Sequence, residues 1–284
     1  MRISIITPNY NYAHYLPELL ESLLLQTYTN WEHIIIDDGS TDHSVELIQS
    51  YVKKYPTHFK LVMQENAGQS KALNHALELV TGDLIMWINS DDSFCPDIFE
   101  PIVDIFRDNA DLEVLFGDIK FMDMQSRYMF LHRNQPFRYI EAALLGFTMY
   151  VSSNAVVWKS ERMKVLDEFK SDFKCNMDGE FFSRLFHNAN YSYAPIAIAN
   201  FRKQPFSKAA ENDNRWTELM NKEIAFELLN SKERLSNELG KKVAWFFPIL
   251  RNFYRLKRAI YRKITKRDQR KKAELETYQK RIEQ

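Results

Sequence analysis

The chain has 284 residues, 45% of them hydrophobic, enough for one large α/β domain with an appendage or for two small domains, which excludes disorder throughout. Its 38 Lys and Arg balance 38 Asp and Glu, but positions 1–240 hold 23 basic against 34 acidic residues and positions 241–272 hold 13 against one, so an acidic body carries a basic tail. The two cysteines, Cys95 and Cys175, have no metal-ligand spacing around them, which excludes a zinc site and a disulfide framework and suits a reducing, cytoplasmic setting.

The first apolar run, Ile3 to Thr7, is far too short for a signal peptide, and no stretch approaches the ~18 to 20 apolar residues of a spanning helix. Neither secretion by that route nor a membrane span is expected. The run reads as a buried strand. It ends in Thr7-Pro8-Asn9-Tyr10-Asn11-Tyr12, without the glycines that let a backbone approach a pyrophosphate. A dinucleotide-dependent dehydrogenase is disfavoured, as is a nucleotidyltransferase that cradles triphosphate in a Gly-rich loop.

Leucines 16, 19, 20, 23 and 24, with Pro17 in the first turn, predict a helix to Leu25. A second buried strand follows at His33 to Asp37, then a helix capped by Thr41-Asp42 and running to Tyr55. A third strand at Phe59 to Met63, a helix over Ser70 to Val80 and a fourth strand at Asp83 to Ile88 complete the pattern. Strand and helix alternating in this way imply a parallel sheet with right-handed crossovers. The ligand crevice of such a sheet lies beyond the carboxyl ends of its strands.

The second strand ends in Asp37-Asp38-Gly39-Ser40-Thr41-Asp42. Asx-Gly-Ser is ordinary turn chemistry; an aspartate there also suits the imide N–H of a uracil or thymine ring. The fourth strand ends in Asn89-Ser90-Asp91-Asp92. Adjacent carboxylates repel unless donors or a cation compensate, so the pair is either a solvated turn or a seat for Mg²⁺ or Mn²⁺. Such a metal offsets the charge on a departing nucleoside diphosphate.

Taken in order, Thr7-Pro8-Asn9-Tyr10-Asn11, Gln26-Thr27-Tyr28, Ile36-Asp37-Asp38-Gly39-Ser40-Thr41-Asp42, Glu65-Asn66-Ala67-Gly68, Ala72-Leu73-Asn74, Thr81-Gly82-Asp83 and Asn89-Ser90-Asp91-Asp92 resemble the nucleotide-binding half of family 2 glycosyltransferases, which have the GT-A fold. The resemblance implies an α/β, Rossmann-like, mostly parallel sheet flanked by helices. It also implies inverting transfer of a sugar from a UDP- or dTDP-sugar, with Mn²⁺ or Mg²⁺ as cofactor. Pro8 and Tyr10 would then line the base and ribose, Asp38 would hold the base, and Lys71 would approach the phosphates. Asp91 would contact ribose or sugar, and Asp92, with Asp91, would ligate the metal. Asn89 stands where the family often has an acidic residue, which lowers the charge of the site.

After Pro96 a helix is expected over Asp97 to Asn109, a strand at Leu112 to Phe116 and a hairpin from Ile119 to Leu131. This region is read as a second half that completes the pocket rather than continuing the sheet. Inverting transfer needs a base for the acceptor hydroxyl. The segment Met177-Asp178-Gly179-Glu180-Phe181-Phe182-Ser183-Arg184-Leu185 resembles the family's base-bearing helix, with Asp178 as the base and Glu180 as its alternate. Asp178 also suits a plain helix cap, and many relatives carry a glutamate where this chain has Met177. The seven histidines show no metal or triad spacing, although His132 is a candidate for the acceptor side. Trp87, Trp158 and Trp216 are expected in the core.

From Glu211 onward the sequence reads helical. Phe253, Tyr254, Leu256, Ile260 and Ile264 alternate with Arg251, Arg255, Lys257, Arg258, Arg262 and Lys263, the pattern of an amphipathic helix suited to an anionic membrane surface. A helix packed on the body or on a partner is the alternative, and no nucleic-acid motif accompanies the charge. The expected organisation is residues 1–205 as the glycosyltransferase domain, divided at 95/96 into nucleotide and acceptor halves, and residues 206–284 as a basic helical extension. The expected partners are a nucleotide-sugar, a saccharide or lipid-linked acceptor of bacterial surface-polysaccharide assembly, and the cytoplasmic face of the inner membrane. The competing readings are a nucleotidyltransferase of related fold and a nucleotide-sugar-binding protein without catalysis.

Overall fold

Side chains that alternate along the strands build two cores, one on each face of a single sheet. The computed structural model describes residues 1–147, 151–204, 214–239, 246–264 and 273–274. Strands β1 (Ile3–Asn9), β2 (Trp31–Asp37), β3 (Phe59–Met63) and β4 (Leu84–Trp87) are parallel in the order β3-β2-β1-β4. They alternate with helices α1 (Leu16–Leu24), α2 (Ser44–Lys54) and α3 (Gln69–Glu78). Ile35 points to the face covered by α1, α2 and α4 (Phe99–Asp108), where Leu19, Ile48 and Phe99 are buried. Ile34 and Ile36 point to the other face, against Ala72 and Leu73 of α3.

The second half corrects one expectation. It continues the sheet instead of standing apart from it. Strand β8 (Val156–Lys159) pairs antiparallel with β4, and β6 (Val114–Met122) pairs antiparallel with β8. Strand β9 (Tyr191–Arg202) runs parallel to β6 and pairs with the two-residue β5 (Ser93–Phe94). The expected hairpin forms between β6 and β7 (Tyr128–His132). The sequence hid this extension because β8 has only four residues and borders the sheet out of chain order.

Helices α5 (Tyr139–Leu145), α6 (Met177–Leu185), α7 (Asn214–Leu239) and α8 (Phe247–Ile264) cover the face occupied by α3. Leu235 of α7 and Phe247 and Tyr254 of α8 join the core cluster that contains Phe116 and Trp158. The helical extension therefore shares the core of the preceding residues. Trp87 and Trp158 are buried as expected, whereas the side chain of Trp216 lies outside the described residues. Among the described residues no helix is long and apolar enough to cross a membrane.

Candidate active site

The first two strand ends are stitched to each other. Asn9 donates through Nδ2 to Asp37 Oδ2 at 2.8 Å, and Asp37 Oδ1 accepts the Ser40 N–H at 2.9 Å. The turn passes through Gly39 at φ +79°, a left-handed value that glycine adopts without strain. Asp37 is thus the turn former. Asp38 is buried, and its Oδ1 accepts Gln64 Nε2 at 2.7 Å and the Ala67 N–H at 2.8 Å. Its Oδ2 accepts the Gly68 N–H at 2.8 Å. A carboxylate accommodates about four donors, so Oδ2 has room for one more, such as a base imide. Pro8 is half-buried beside the exposed Tyr10, and Lys71 is exposed in the first turn of α3.

At the end of β4, Asn89 Oδ1 accepts Trp87 Nε1 and Gln69 Nε2, both at 3.1 Å. An amide acceptor there joins α3 to β4 without adding charge. Asp91 is partly exposed and its Oδ2 accepts Gln204 Nε2 at 2.7 Å. Asp92 is 1% exposed and turned inward, with Oδ1 accepting the Arg202 N–H at 2.7 Å and Oδ2 accepting Asn154 Nδ2 at 2.5 Å.

Burial holds the Asp91 carboxyl above the ordinary aspartate range. Burial and then the Asp91 charge push Asp92 well above it. The Tyr12 hydroxyl is also raised, by burial first and then by Asp91, and it shares Gln204 with that carboxylate. A hard cation would relieve this crowding, so the donor chemistry fits Mg²⁺ or Mn²⁺. The resemblance assigns the metal to Asp92 and Asp91; in the structure Asp91 is the more exposed carboxylate, and both Asp92 oxygens already accept hydrogen bonds from the protein. Among the described residues no cluster of three or more His, Cys, Asp or Glu surrounds the pair. Diphosphate oxygens and waters would complete the shell, as they usually do for Mg²⁺.

Sequence reasoning missed the residue that holds this loop. The Arg202 side chain donates to the Asp91 carbonyl at 2.8 Å, to the Asp123 carbonyl at 3.0 Å, to Ser126 Oγ at 3.0 Å and to the Glu18 carboxylate. It also lies over the Tyr15 ring, 4.5 Å from the centroid. An arginine closing the mostly apolar run from Ala194 to Phe201 was the available signal.

Asp178 is the second residue of α6, after Met177, and the cap position belongs to Asn176 rather than to Asp178. The Ser70 hydroxyl donates to Met177 Sδ at 3.4 Å and so brings the start of α6 against the start of α3. The Asp178 carboxylate is partly exposed, accepts the Gly179 N–H at 2.9 Å, and has its pKa raised by burial. Glu180 is 1% exposed and held by Arg184 through Oε1 at 2.8 Å and Oε2 at 2.7 Å, with Lys170 at 3.4 Å. That two-pronged ion pair occupies both oxygens and makes Glu180 a brace of α6 rather than a substitute base. His132 packs edge-on against Phe121 in the β6–β7 hairpin.

The family model described as Glycosyl transferase family 2 matches residues 4–165. The chain belongs to that family. EpsH of Bacillus subtilis is 30% identical over 209 residues, which are 70% of this chain and 60% of that protein. TuaG of the same organism, named for teichuronic acid biosynthesis, is 33% identical over 108 residues, or 38% of this chain and 43% of its own length. The chain thus spans less than two thirds of the length of these curated relatives. The solved structure of Staphylococcus aureus TarS with UDP-GlcNAc superimposes with a TM-score of 0.64 at 22% identity, covering 86% of this chain and 73% of that one. This likeness gives the GT-A fold expected from the sequence.

Proposed function

We propose that this family 2 chain catalyses inverting transfer of a sugar from a UDP- or dTDP-sugar to a saccharide or lipid-linked saccharide of bacterial surface-polysaccharide assembly. The observation that carries the reading is the placement of Asp178: the Ser70–Met177 contact joins its helix to α3, while Gln69 and Asn89 join α3 to the strand that leads into Asp91. In this reading one carboxylate serves the acceptor side and another the leaving-group side.

In this reading Asp38 takes the base imide on Oδ2, Pro8 and Tyr10 flank base and ribose, and Lys71 meets the phosphates at the positive end of α3. Asp91 holds Mn²⁺ or Mg²⁺ with Asp92 behind it; the bound metal offsets charge on the departing diphosphate. Asp178 removes the acceptor proton, and its raised pKa matches that task better than an ordinary aspartate. TuaG supports the polysaccharide class of acceptor, and TarS bound to UDP-GlcNAc supports a UDP donor. Nucleoside diphosphate release from a panel of UDP- and dTDP-sugars tests the reading. A nucleotidyltransferase would instead release pyrophosphate, and a bare binding protein would show donor affinity with no turnover.

A peripheral membrane contact rests on α8. One face packs on the body through Phe247, Tyr254 and an ion pair from Lys257 to Glu141. A second stripe, Ile249, Phe253, Leu256 and Ile260, is exposed at helical spacing, and Arg255, Lys257 and Lys263 are exposed on the same helix. Each cation near anionic lipid contributes about 1 kcal/mol; in this proposal the protein sits at the cytoplasmic face of the inner membrane. The rest of the basic tail, residues 241–245 and 265–272, lies outside the described residues, as does the side chain of Arg262.

A further inference from the structure

Helix α7 reaches the helix of Asp178 through two carboxylates. Glu223 accepts three consecutive main-chain N–H groups, from Lys174 at 2.7 Å and from Cys175 and Asn176 at 2.8 Å each. These residues lead directly into α6. One turn along α7, Glu227 is fully buried; its Oε2 lies 3.4 Å from Asn176 Nδ2, and its Oε1 is buried without a hydrogen-bond partner. Asn176 in turn lies so close to α6 that a Cβ on Gly179 would fall 2.4 Å from its Oδ1.

The charged groups that face Glu227 are Asp178 and Glu180 from α6 and Arg234 from its own helix. Helix α5 approaches with Gly146, whose Cβ would stand 4.0 Å from Glu227 Oε2. Burial is the largest influence and the two α6 carboxylates add to it, against Arg234 and the Asn176 amide, so the Glu227 carboxyl is pushed up to about 7.

We propose that Glu223 and Glu227 are positioning residues for Asp178: Glu223 fixes the main chain from which α6 starts, and Glu227 sets a second carboxylate against the opening turn of that helix. The inference rests on Asp178 being the base. A base must stand within hydrogen-bond reach of the proton it removes, and misplacement by about 1 Å costs on the order of 10²-fold in rate. Glu223 supplies that fixity from the helical extension. Glu227 adds a proton-dependent charge: once ionised, it makes Asp178 a stronger base.

The test is ¹³C-carboxyl NMR of the full chain labelled at aspartate, with the Asp178 resonance identified by its loss in Asp178→Asn. In the wild type, Asp178 is expected to report two steps, its own ionisation and a second near pH 7 from Glu227, because interacting sites share their titration. Glu227→Gln should remove the upper step while thermal melting and UDP binding with Mn²⁺ persist. An Asp178 curve identical in wild type and Glu227→Gln would overturn the role of Glu227. For Glu223, Glu223→Gln should lower kcat for UDP release from a UDP-sugar while leaving the donor KM unchanged, with partial rescue in Glu223→Asp. A fall in kcat that tracks melting temperature in both variants would mark a merely structural role and overturn the positioning role. The base reading fails separately, by undiminished turnover in Asp178→Asn.

Discussion

The main-chain N–H of Arg202 donates to the Asp92 carboxylate at 2.7 Å. Because the Arg202 side chain also holds the Asp91 carbonyl, the last residue of β9 fixes both members of the acidic pair from the far half of the sheet. Arg202→Ala strands the Asp91 and Asp123 carbonyls and leaves Glu18 without its cation. Glu18 is partly exposed and can rehydrate, so the cost comes mainly from the stranded carbonyls, about 1 to 3 kcal/mol each. Urea unfolding should show a loss of that order, and Mn²⁺-dependent UDP binding should fall with it.

Asp91→Asn keeps the size and the Gln204 contact of a partly exposed side chain but removes its charge. Its melting temperature should stay within a few degrees of wild type, while the added stability conferred by UDP with Mn²⁺ is lost. Differential scanning fluorimetry with and without metal distinguishes this from general destabilisation.

Glu227 gives stability a pH dependence of known sign. Its carboxyl rises from the ordinary 4.5 to about 7 in the folded chain, so the folded state binds this proton more tightly than the unfolded state does. The resulting stabilisation is fully present below pH 4.5 and is lost as pH rises through about 7. Each tenfold gain in proton affinity is worth about 1.4 kcal/mol, so the contribution is roughly 3 kcal/mol. Urea midpoints at pH 5 and pH 8 should therefore differ less in Glu227→Gln than in the wild type.

Phe253 and Leu256 lie on the exposed stripe of α8, away from Tyr254 and the core. Phe253→Glu with Leu256→Glu should leave melting unchanged and abolish flotation with vesicles containing anionic phosphatidylglycerol. Flotation equal to wild type would remove the membrane role from this helix.

Much of residues 1–95 was legible because the signals there are local. The runs at Ile3, His33 and Leu84 are buried strands, whereas the run at Phe59, also expected to be buried, is a partly exposed strand at the end of the sheet order; the polar clusters that follow them lie at the strand ends, as an alternating sheet requires. The Asp37-Asp38-Gly39-Ser40 segment proved to be both a turn and an anchor: Asp37 closes the turn, and Asp38 reaches Ala67 and Gly68, some thirty positions away. Illegible were the contacts that join distant positions. Arg202 meets Asp92 across 110 residues, Asn154 meets it across 62, and Glu223 reaches Asn176 across 47. No periodicity encodes such pairings. Glu180 misled for a related reason: its spacing from Arg184 is the i,i+4 ion pair of a helix, and that local partner removes it from the choice of base.

The measurement that bears most directly on the central claim is nucleoside diphosphate release from a panel of UDP- and dTDP-sugars with Mn²⁺ or Mg²⁺, comparing wild type with Asp178→Asn. The account predicts metal-dependent release by the wild type. Asp178→Asn should bind the same donor with unchanged affinity and turn it over about 10² to 10⁴-fold more slowly. Undiminished turnover in Asp178→Asn would contradict the assignment of the base, and absence of binding to every nucleotide-sugar with either metal would contradict the function.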